Sequence, residues 1–161
     1  MSIVDIKYAC AFTGHRPERL EAPEEEVKKW LEVKIRKAVN DGYTDFITGM
    51  QRGVDLWAAE ILMKLKVEGK NIRIIAACAF KGMENRWDDV QKGVYYRVLK
   101  AADEVNYIGK YPGRTAFFLR DEWMVDHASR LIAVFTGAPG GTKKTIDYAV
   151  KKKLEVERFN R

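Results

Sequence analysis

The apolar positions of the chain fall into two alternating patterns, short continuous runs and longer segments with helical spacing. Continuous apolar or β-branched runs predict strands that are buried on both faces of a sheet. The predicted strands cover residues 6–12, 45–48, 72–79, 104–108 and 130–135, and a short alternating strand at 154–159 is expected at a sheet edge.

The segments between these runs carry apolar residues three or four positions apart, which is typical of amphipathic helices. In the first of them, Pro23 stands where the first turn of a helix tolerates proline, and Asp41-Gly42 ends the pattern. The first predicted helix therefore runs from the region of Pro23 to Asn40. The second starts at Val54 and is ended by Gly69, and the third follows a looser segment at 81–89 and continues through Ala102. The last two cover residues 117–127 and 142–152.

This regular alternation of strands and helices predicts the α/β class. We expect one Rossmann-like domain over residues 1–161, with a doubly wound, mainly parallel sheet and helices on both faces. A chain of 161 residues is long enough for one core and too short for two ordinary domains. Ligands of such sheets bind outside the carboxyl ends of the strands.

Nearly every predicted strand leads into glycine accompanied by a cation. The three richest stretches are Thr13-Gly14-His15-Arg16-Pro17, Gly49–Gly53 with Arg52, and Gly137–Thr142. Glycine lets the main chain approach a phosphate closely, and a following helix presents free N–H groups and a partial positive charge. The sequence therefore predicts one anion-binding face at the strand ends.

Residues of all three stretches are candidates for contact with a ligand. Arg52 would supply a planar, bidentate charge, and Thr142 an N-cap or a hydroxyl donor. The predicted ligand-binding residues are Thr13, Gly14, His15, Arg16, Gly49, Arg52, Gly53, Gly137, Gly140, Gly141 and Thr142. Each also has a purely structural explanation, such as a tight turn, a solvated arginine or a histidine that orients its own loop. Trp87 is the candidate for stacking on a base, the alternative being a core position.

Composition narrows the class of protein. The excess of 29 basic over 23 acidic residues gives a net charge of +6, which favours anionic partners or simply solubility. Cys10 and Cys78 lie in apolar segments, as expected of a reduced, cytoplasmic protein. No apolar run is long enough to span a membrane, and Met1–Lys7 has no secretory signal. With His15 and His127 as the only histidines and no acidic cluster, we expect no metal site.

Three blocks of sequence carry a family resemblance. They are Thr-Gly-His-Arg-Pro at 13–17, Ile-Thr-Gly-Met-Gln-Arg-Gly-Val-Asp-Leu-Trp-Ala-Ala-Glu at 47–60, and a late block with Arg120, Met124-Val125-Asp126, Leu131–Phe135, Gly-Gly-Thr and Tyr148-Ala149. Over essentially its whole length the chain resembles the YpsA-like family of bacterial and phage proteins, in the SLOG superfamily of Rossmann-like domains. That superfamily includes the DprA/Smf single-strand DNA-binding proteins and the LOG-type nucleotide phosphoribohydrolases. The resemblance implies a ligand-sensing or nucleotide-processing domain, and also a homodimer, although the sequence shows no dedicated interface.

The chain departs from the LOG-type signature Pro-Gly-Gly-x-Gly-Thr-x-x-Glu. Pro139–Thr142 lacks the spacer and second glycine step, and Thr145 stands where the expected glutamate would be. The stretch Gly49–Asp55 is instead close to the Gly-Leu-Ala-Arg-Gly-Ile-Asp loop of the DprA proteins. Neither activity therefore transfers directly.

Three functions remain, in this order of preference. The first is binding or sensing of a nucleotide, NAD or ADP-ribose, with no cofactor required beyond such a ligand. The second is hydrolysis of an N-glycosidic bond, which needs a carboxylate in the crevice, with Asp55, Glu84 and Asp126 as candidates. The third is binding of single-stranded nucleic acid, whose affinity would fall steeply with salt.

Overall fold

Strands and helices alternate along the chain in the computed structural model, which describes residues 4–159. The strands are β1 (Ala9–Gly14), β2 (Asp45–Thr48), β3 (Arg73–Cys78), β4 (Glu104–Tyr107), β5 (Arg130–Val134) and β6 (Glu155–Arg158). The helices are α1 (Glu24–Asn40), α2 (Val54–Val67), α3 (Asp89–Ala101), α4 (Arg114–Asp126) and α5 (Gly141–Lys151). Short 3₁₀ helices at Ile6–Tyr8 and Pro17–Arg19 flank β1. Residues 1–3 and 160–161 lie outside the described range. The first three belong to Met1–Lys7, the segment in which no secretory signal was expected.

The six strands form one parallel sheet in the order β4-β3-β2-β1-β5-β6. The predicted α/β class and parallel sheet are thus confirmed, and β6 lies at an edge as expected. From β1 the chain adds strands on one side as far as β4, then crosses to the other side of β1 to form β5 and β6. The switch point lies between β1 and β5, where Gly14 is paired with Val134. Parallel sheets open a crevice at such a point.

Helices cover both faces of the sheet. Cys10 and Phe12 of β1 pack in the same core cluster as α1 and α2, whereas Ala9 and Ala11 pack with α4 and α5. A third cluster joins α2 to α3. This division follows from right-handed crossovers, because connections that run in opposite directions along the sheet place their helices on opposite faces.

The predicted bounds of two elements were wrong. The first strand was expected at residues 6–12, but Ile6–Tyr8 forms a 3₁₀ turn closed by the Tyr8 N–H on the Asp5 carbonyl at 3.0 Å, and β1 runs from Ala9 to Gly14. The fourth helix begins at Arg114, three residues before its predicted start. Gly113, with φ of +135°, ends the preceding loop and allows this early start.

Burial raises the pKa of the thiols of Cys10 and Cys78, both of which are free and buried. Within residues 4–159 no helix is long and apolar enough to cross a bilayer.

Candidate anion-binding cleft

A cleft with a volume of about 130 Å³ opens at the switch point, at the carboxyl ends of β1 and β5. Its walls come from the loop after β1 (residues 15–19, the β1 loop), the start of α5 and one face of α4. The loop after β2 contributes Gln51 and the start of α2 contributes Asp55. The cleft thus lies where the parallel topology places ligand sites.

The β1 side of the cleft carries four predicted site residues: Thr13, Gly14, His15 and Arg16. His15 is buried, its Nε2 accepts a hydrogen bond from the Thr136 N–H at 3.2 Å, and its ring lies 5.5 Å from that of Phe135. Burial lowers the pKa of His15, and Arg19 lowers it further. The neutral imidazole therefore ties the β1 loop to the exit of β5, which is the loop-orienting role weighed from the sequence.

The opposite wall is the N-terminus of α5. Gly140 is the N-cap, with φ of +137°, and Gly141 and Thr142 line the cleft as the first residues of the helix. Thr142 is therefore not the N-cap, and the predicted capping role is wrong. Because the first N–H groups of a helix have no partner within it, this wall offers backbone donors to an anion. Gly137 lies in the loop before α5 (residues 135–140, the β5 loop), does not line the cleft, and has φ of +101°.

The loop after β2 (residues 49–53, the β2 loop) is packed beneath the cleft. A Cβ atom on Gly49 would lie 2.7 Å from Asp55 Oδ2 and 2.8 Å from Arg120 Nη1. Gly53 has φ of +91°, and a Cβ there would lie 2.9 Å from the His15 carbonyl oxygen. These glycines make room for neighbouring groups of the protein itself.

Arg52 and Trp87 lie outside the cleft. Arg52 Nη2 pairs with Glu18 Oε1 at 2.8 Å, and its guanidinium lies 5.9 Å from the centroid of the Trp87 ring. The Trp87 ring in turn packs edge-on against Tyr95, with centroids 5.5 Å apart. The structure therefore does not bring these two side chains together with the other predicted site residues.

A buried arginine forms the floor of the cleft. Arg120 is 5% exposed, its Nη1 donates to the Gly49 carbonyl, and its Nε donates to Asp121 Oδ1 at 2.7 Å. Long side chains on a helix point back towards its N-terminus, so Arg120 of α4 reaches up to the carboxyl edge of the sheet. Its Nη2 has no hydrogen-bond partner among residues 4–159, and the residue lines the cleft.

Asp55 lies beside this arginine in the first turn of α2 and is 6% exposed. Its Oδ2 accepts a hydrogen bond from the Gln51 N–H at 3.3 Å, whereas Oδ1 is buried without a partner in the described chain. Burial raises the pKa of Asp55 to about 7, against the opposing effect of the Arg120 charge. A carboxyl group that titrates near neutrality in a cleft is typical of a functional site.

The other two candidate acids lie elsewhere. Glu84 is buried and accepts a hydrogen bond from the Tyr96 hydroxyl at 2.8 Å, but it does not line the cleft. Asp126 is the last residue of α4 and lies towards the amino ends of the strands, away from the cleft. It accepts a hydrogen bond from the Tyr148 hydroxyl at 2.8 Å. Of the three candidate acids predicted from the sequence, Asp55 alone lines the cleft. No three metal-ligating side chains within residues 4–159 are arranged to hold an ion.

Sequence reasoning missed the contribution of α4. Phe117, Arg120 and Asp121 all line the cleft, and their spacing of three and four positions places them on one helix face. From the sequence, Arg120 was noted only as part of the block that carries the family resemblance, and no role in the site was predicted for it. The signal that could have found this site is an arginine on an otherwise core-facing helix stripe.

Comparison with known sequences gives one consistent family. The sequence model of the YspA SLOG family matches residues 10–160. A UPF0398 protein of Bacillus thuringiensis (strain Al Hakam) is 32% identical over 158 residues, which cover 93% of this chain and 86% of the relative. A UPF0398 protein of Bacillus cereus (strain Q1) is similar to the same extent.

Two solved structures share the fold. One is DNA processing protein A (DprA) from Streptococcus pneumoniae, with a TM-score of 0.64 and 16% identity over 95% of this chain. The other is DNA processing protein A from Helicobacter pylori, with a TM-score of 0.68 and 15% identity over 98% of this chain, in a structure that describes a single-stranded DNA binding mode. The chain spans 50% of the first protein and 66% of the second.

Proposed function

This chain belongs to the YspA SLOG family, and we propose that its cleft binds the phosphate of a nucleotide-derived ligand of the nucleotide, NAD or ADP-ribose class. One observation carries the proposal: the open N-terminus of α5 and the buried guanidinium of Arg120, with its Nη2 unpartnered in the described chain, line the same cleft.

Both groups are suited to an anion. A helix N-terminus contributes unpaired N–H donors and a partial positive charge. A guanidinium that is largely removed from water interacts with an anion more strongly than a solvated one, because the surrounding dielectric screens less. Arg16 and Arg19 add exposed charges at the rim, and Arg19 Nη2 also donates to the Pro139 carbonyl at 3.3 Å, which connects the two loops across the cleft.

Titration calorimetry with inorganic phosphate, AMP, NAD and ADP-ribose tests the proposal. Arg16→Ala should weaken binding by about tenfold, since a hydrogen bond to a charged group contributes roughly 1.5–3 kcal/mol. The matched control is Arg97→Ala, which removes another exposed arginine that pairs with Glu60, away from the cleft. Binding of none of the four ligands, or equal effects of the two substitutions, would overturn the proposal.

Single-stranded nucleic acid is the second candidate. It is favoured by the similarity to the H. pylori protein and by the exposed arginines at the rim of the cleft. If the backbone phosphates of an oligonucleotide occupy the cleft, AMP should compete with a fluorescent oligonucleotide, and affinity should fall steeply as salt increases. An oligonucleotide that binds equally well with or without saturating AMP would place nucleic acid on another surface.

A further inference from the structure

Asp55 carries a feature that phosphate binding does not use. Its Oδ1 is buried and accepts no hydrogen bond within the described chain. Most of the neighbouring donors are engaged elsewhere: the Gln51 N–H bonds to Oδ2, and Arg120 directs Nη1 to Gly49 and Nε to Asp121. Arg120 Nη2 is free in the described chain but makes no hydrogen bond to Oδ1. Buried polar atoms in folded proteins are nearly always hydrogen-bonded, because an unpaired one costs free energy. Asp55 therefore has capacity for a donor that comes from outside the chain.

The charges around Asp55 restrict what that donor is. Asp55 lies on α2 and Asp121 on α4. Both carboxylates interact with the Arg120 guanidinium and raise its pKa. Once a phosphate is held by the α5 N-terminus and Arg120, a further anion would be repelled by the two carboxylates, whereas a neutral hydroxyl would be accepted. The cleft thus combines donors, from the α5 wall and Arg120, with carboxylate acceptors beside them.

The size of the cleft restricts the donor further. Its volume of about 130 Å³ is below the roughly 300–1,000 Å³ of pockets that enclose drug-sized ligands. A compact part of a nucleotide, such as the phosphate and the sugar attached to it, matches this volume best. The base, which is farther from the phosphate along the molecule, would remain at the mouth. A sugar hydroxyl is therefore the donor that can reach the floor while the phosphate stays at α5.

We infer that Asp55 accepts a hydrogen bond from a ribose hydroxyl, so that the cleft selects ribonucleotides over their deoxy analogues. The inference rests on the proposed phosphate site and adds the sugar to it. Carboxylates accept ribose hydroxyls in the same way in dinucleotide-binding sheets. The pKa of Asp55, raised to about 7 by burial, agrees with a carboxylate that lacks such a donor, because a donated hydrogen bond would stabilise its charged form.

Calorimetry at pH 8 with AMP, 2′-deoxyAMP, 3′-deoxyAMP and inorganic phosphate tests the inference. The wild-type protein should bind AMP about tenfold more tightly than at least one of the two deoxy compounds, as expected for a hydrogen bond to a charged group. Asp55→Asn should reduce AMP binding to the level of that deoxy compound without weakening the binding of inorganic phosphate, since it removes a negative charge from the cleft. Glu84→Gln is the matched control, since Glu84 is also buried with one unpartnered oxygen but lies outside the cleft.

The outcomes separate the two proposals. Equal binding of AMP and both deoxy compounds by the wild-type protein, or AMP binding no tighter than inorganic phosphate, overturns the role of Asp55 and leaves the phosphate site standing. Unchanged selectivity in Asp55→Asn also overturns it. Failure of all four compounds to bind removes both proposals. Should Asp55→Asn fold poorly, the wild-type comparison still decides whether the sugar is recognised, and Asp55→Ser provides a second variant.

Discussion

The β2 loop and the β5 loop have nearly the same glycine content but different surroundings. Gly49 and Gly53 of the β2 loop are buried, and added Cβ atoms would lie within 3 Å of other protein atoms. Gly137 and Gly140 of the β5 loop are exposed, and an added Cβ would meet nothing closer than 4.0 Å. In the first loop glycine makes room for the protein itself, and in the second the described residues leave the space around the glycines open.

This difference shows that glycine content after a strand identifies a close approach without identifying the group that approaches. In the β2 loop the approaching groups are Asp55 and Arg120. At the two β5-loop glycines no group of residues 4–159 would come closer than 4.0 Å to an added Cβ, and the first residues of α5 line the cleft. The loop that most resembles a phosphate cradle in sequence is therefore packed against the protein's own groups and contributes only Gln51 to the cleft, whereas the more weakly patterned loop leads into the α5 wall.

The largest expected effect is that of Gly49→Ala on stability. The new methyl group would force Asp55 and Arg120 apart, and overpacking of this kind costs about 3 kcal/mol when buried polar partners are also displaced. For a chain of this size the melting temperature should fall by about 6–12 °C. Differential scanning calorimetry measures the change.

Gly141→Ala is the control for that substitution, because a Cβ at Gly141 would meet only Asp121 Oδ2 at 3.9 Å, an ordinary contact. Its melting temperature should match or slightly exceed that of the wild type, since alanine favours a helix more than glycine does. Equal destabilisation by the two substitutions would contradict the contrast between the loops.

The next effect concerns the acid that the β2 loop supports. Asp55 ionises near pH 4 in the unfolded chain and near pH 7 in the folded protein. Between these values the folded state holds the proton longer, so this residue lowers stability as the pH rises, and its penalty is complete above pH 7. Asp55→Asn does not titrate, so its stability relative to wild type should rise by about 2 kcal/mol from pH 4 to pH 6. Urea unfolding of both proteins at the two pH values measures this difference. If the free energies of unfolding of the two proteins changed equally with pH, the pKa of Asp55 would not be raised by folding.

Local patterns predicted most of the fold. The second strand was placed at residues 45–48, as observed. A turn precedes this short strand-like stretch and a glycine loop follows it, which leaves little choice for its two ends. The edge strand at the C-terminal end was also recognised from its alternation. The 3₁₀ turn before β1 was missed because Ile6 and Tyr8 are apolar and yet exposed, so the run of apolar letters extended beyond the buried segment.

The site was predictable in part. Parallel topology alone brings Thr13–Arg16 and Gly141-Thr142 to one cleft, and the sequence indicated both. The contact between Arg120 and Gly49 joins residues 71 positions apart, and it depends on how α4 packs over the sheet. The direction of Arg52 could not be deduced either, because it is decided by Glu18 in a different loop.

A smaller effect is expected on ligand binding from Gly141→Ala. The protein should fold as well as the wild type, but the methyl group would stand between the α5 amides and the phosphate, where glycine allows close approach. A loss of about 1 kcal/mol, or roughly fivefold in the dissociation constant for inorganic phosphate, is expected. Calorimetric titration measures it, and binding equal to wild type would remove the α5 wall from the proposed site.

The smallest effect is expected from Arg52→Ala. The Arg52–Glu18 pair is partly exposed, with 26% and 52% of the two side chains accessible, so its loss should cost at most about 1 kcal/mol in stability. Because Arg52 does not line the cleft, the phosphate dissociation constant should stay within about twofold, against the tenfold change expected for Arg16→Ala. Glu18→Ala should reproduce the small stability loss, since each substitution breaks the same pair. If Arg52→Ala instead weakens phosphate binding as much as Arg16→Ala, the β2 loop contacts the ligand directly, and the division between a supporting loop and a ligand-facing loop would have to be abandoned.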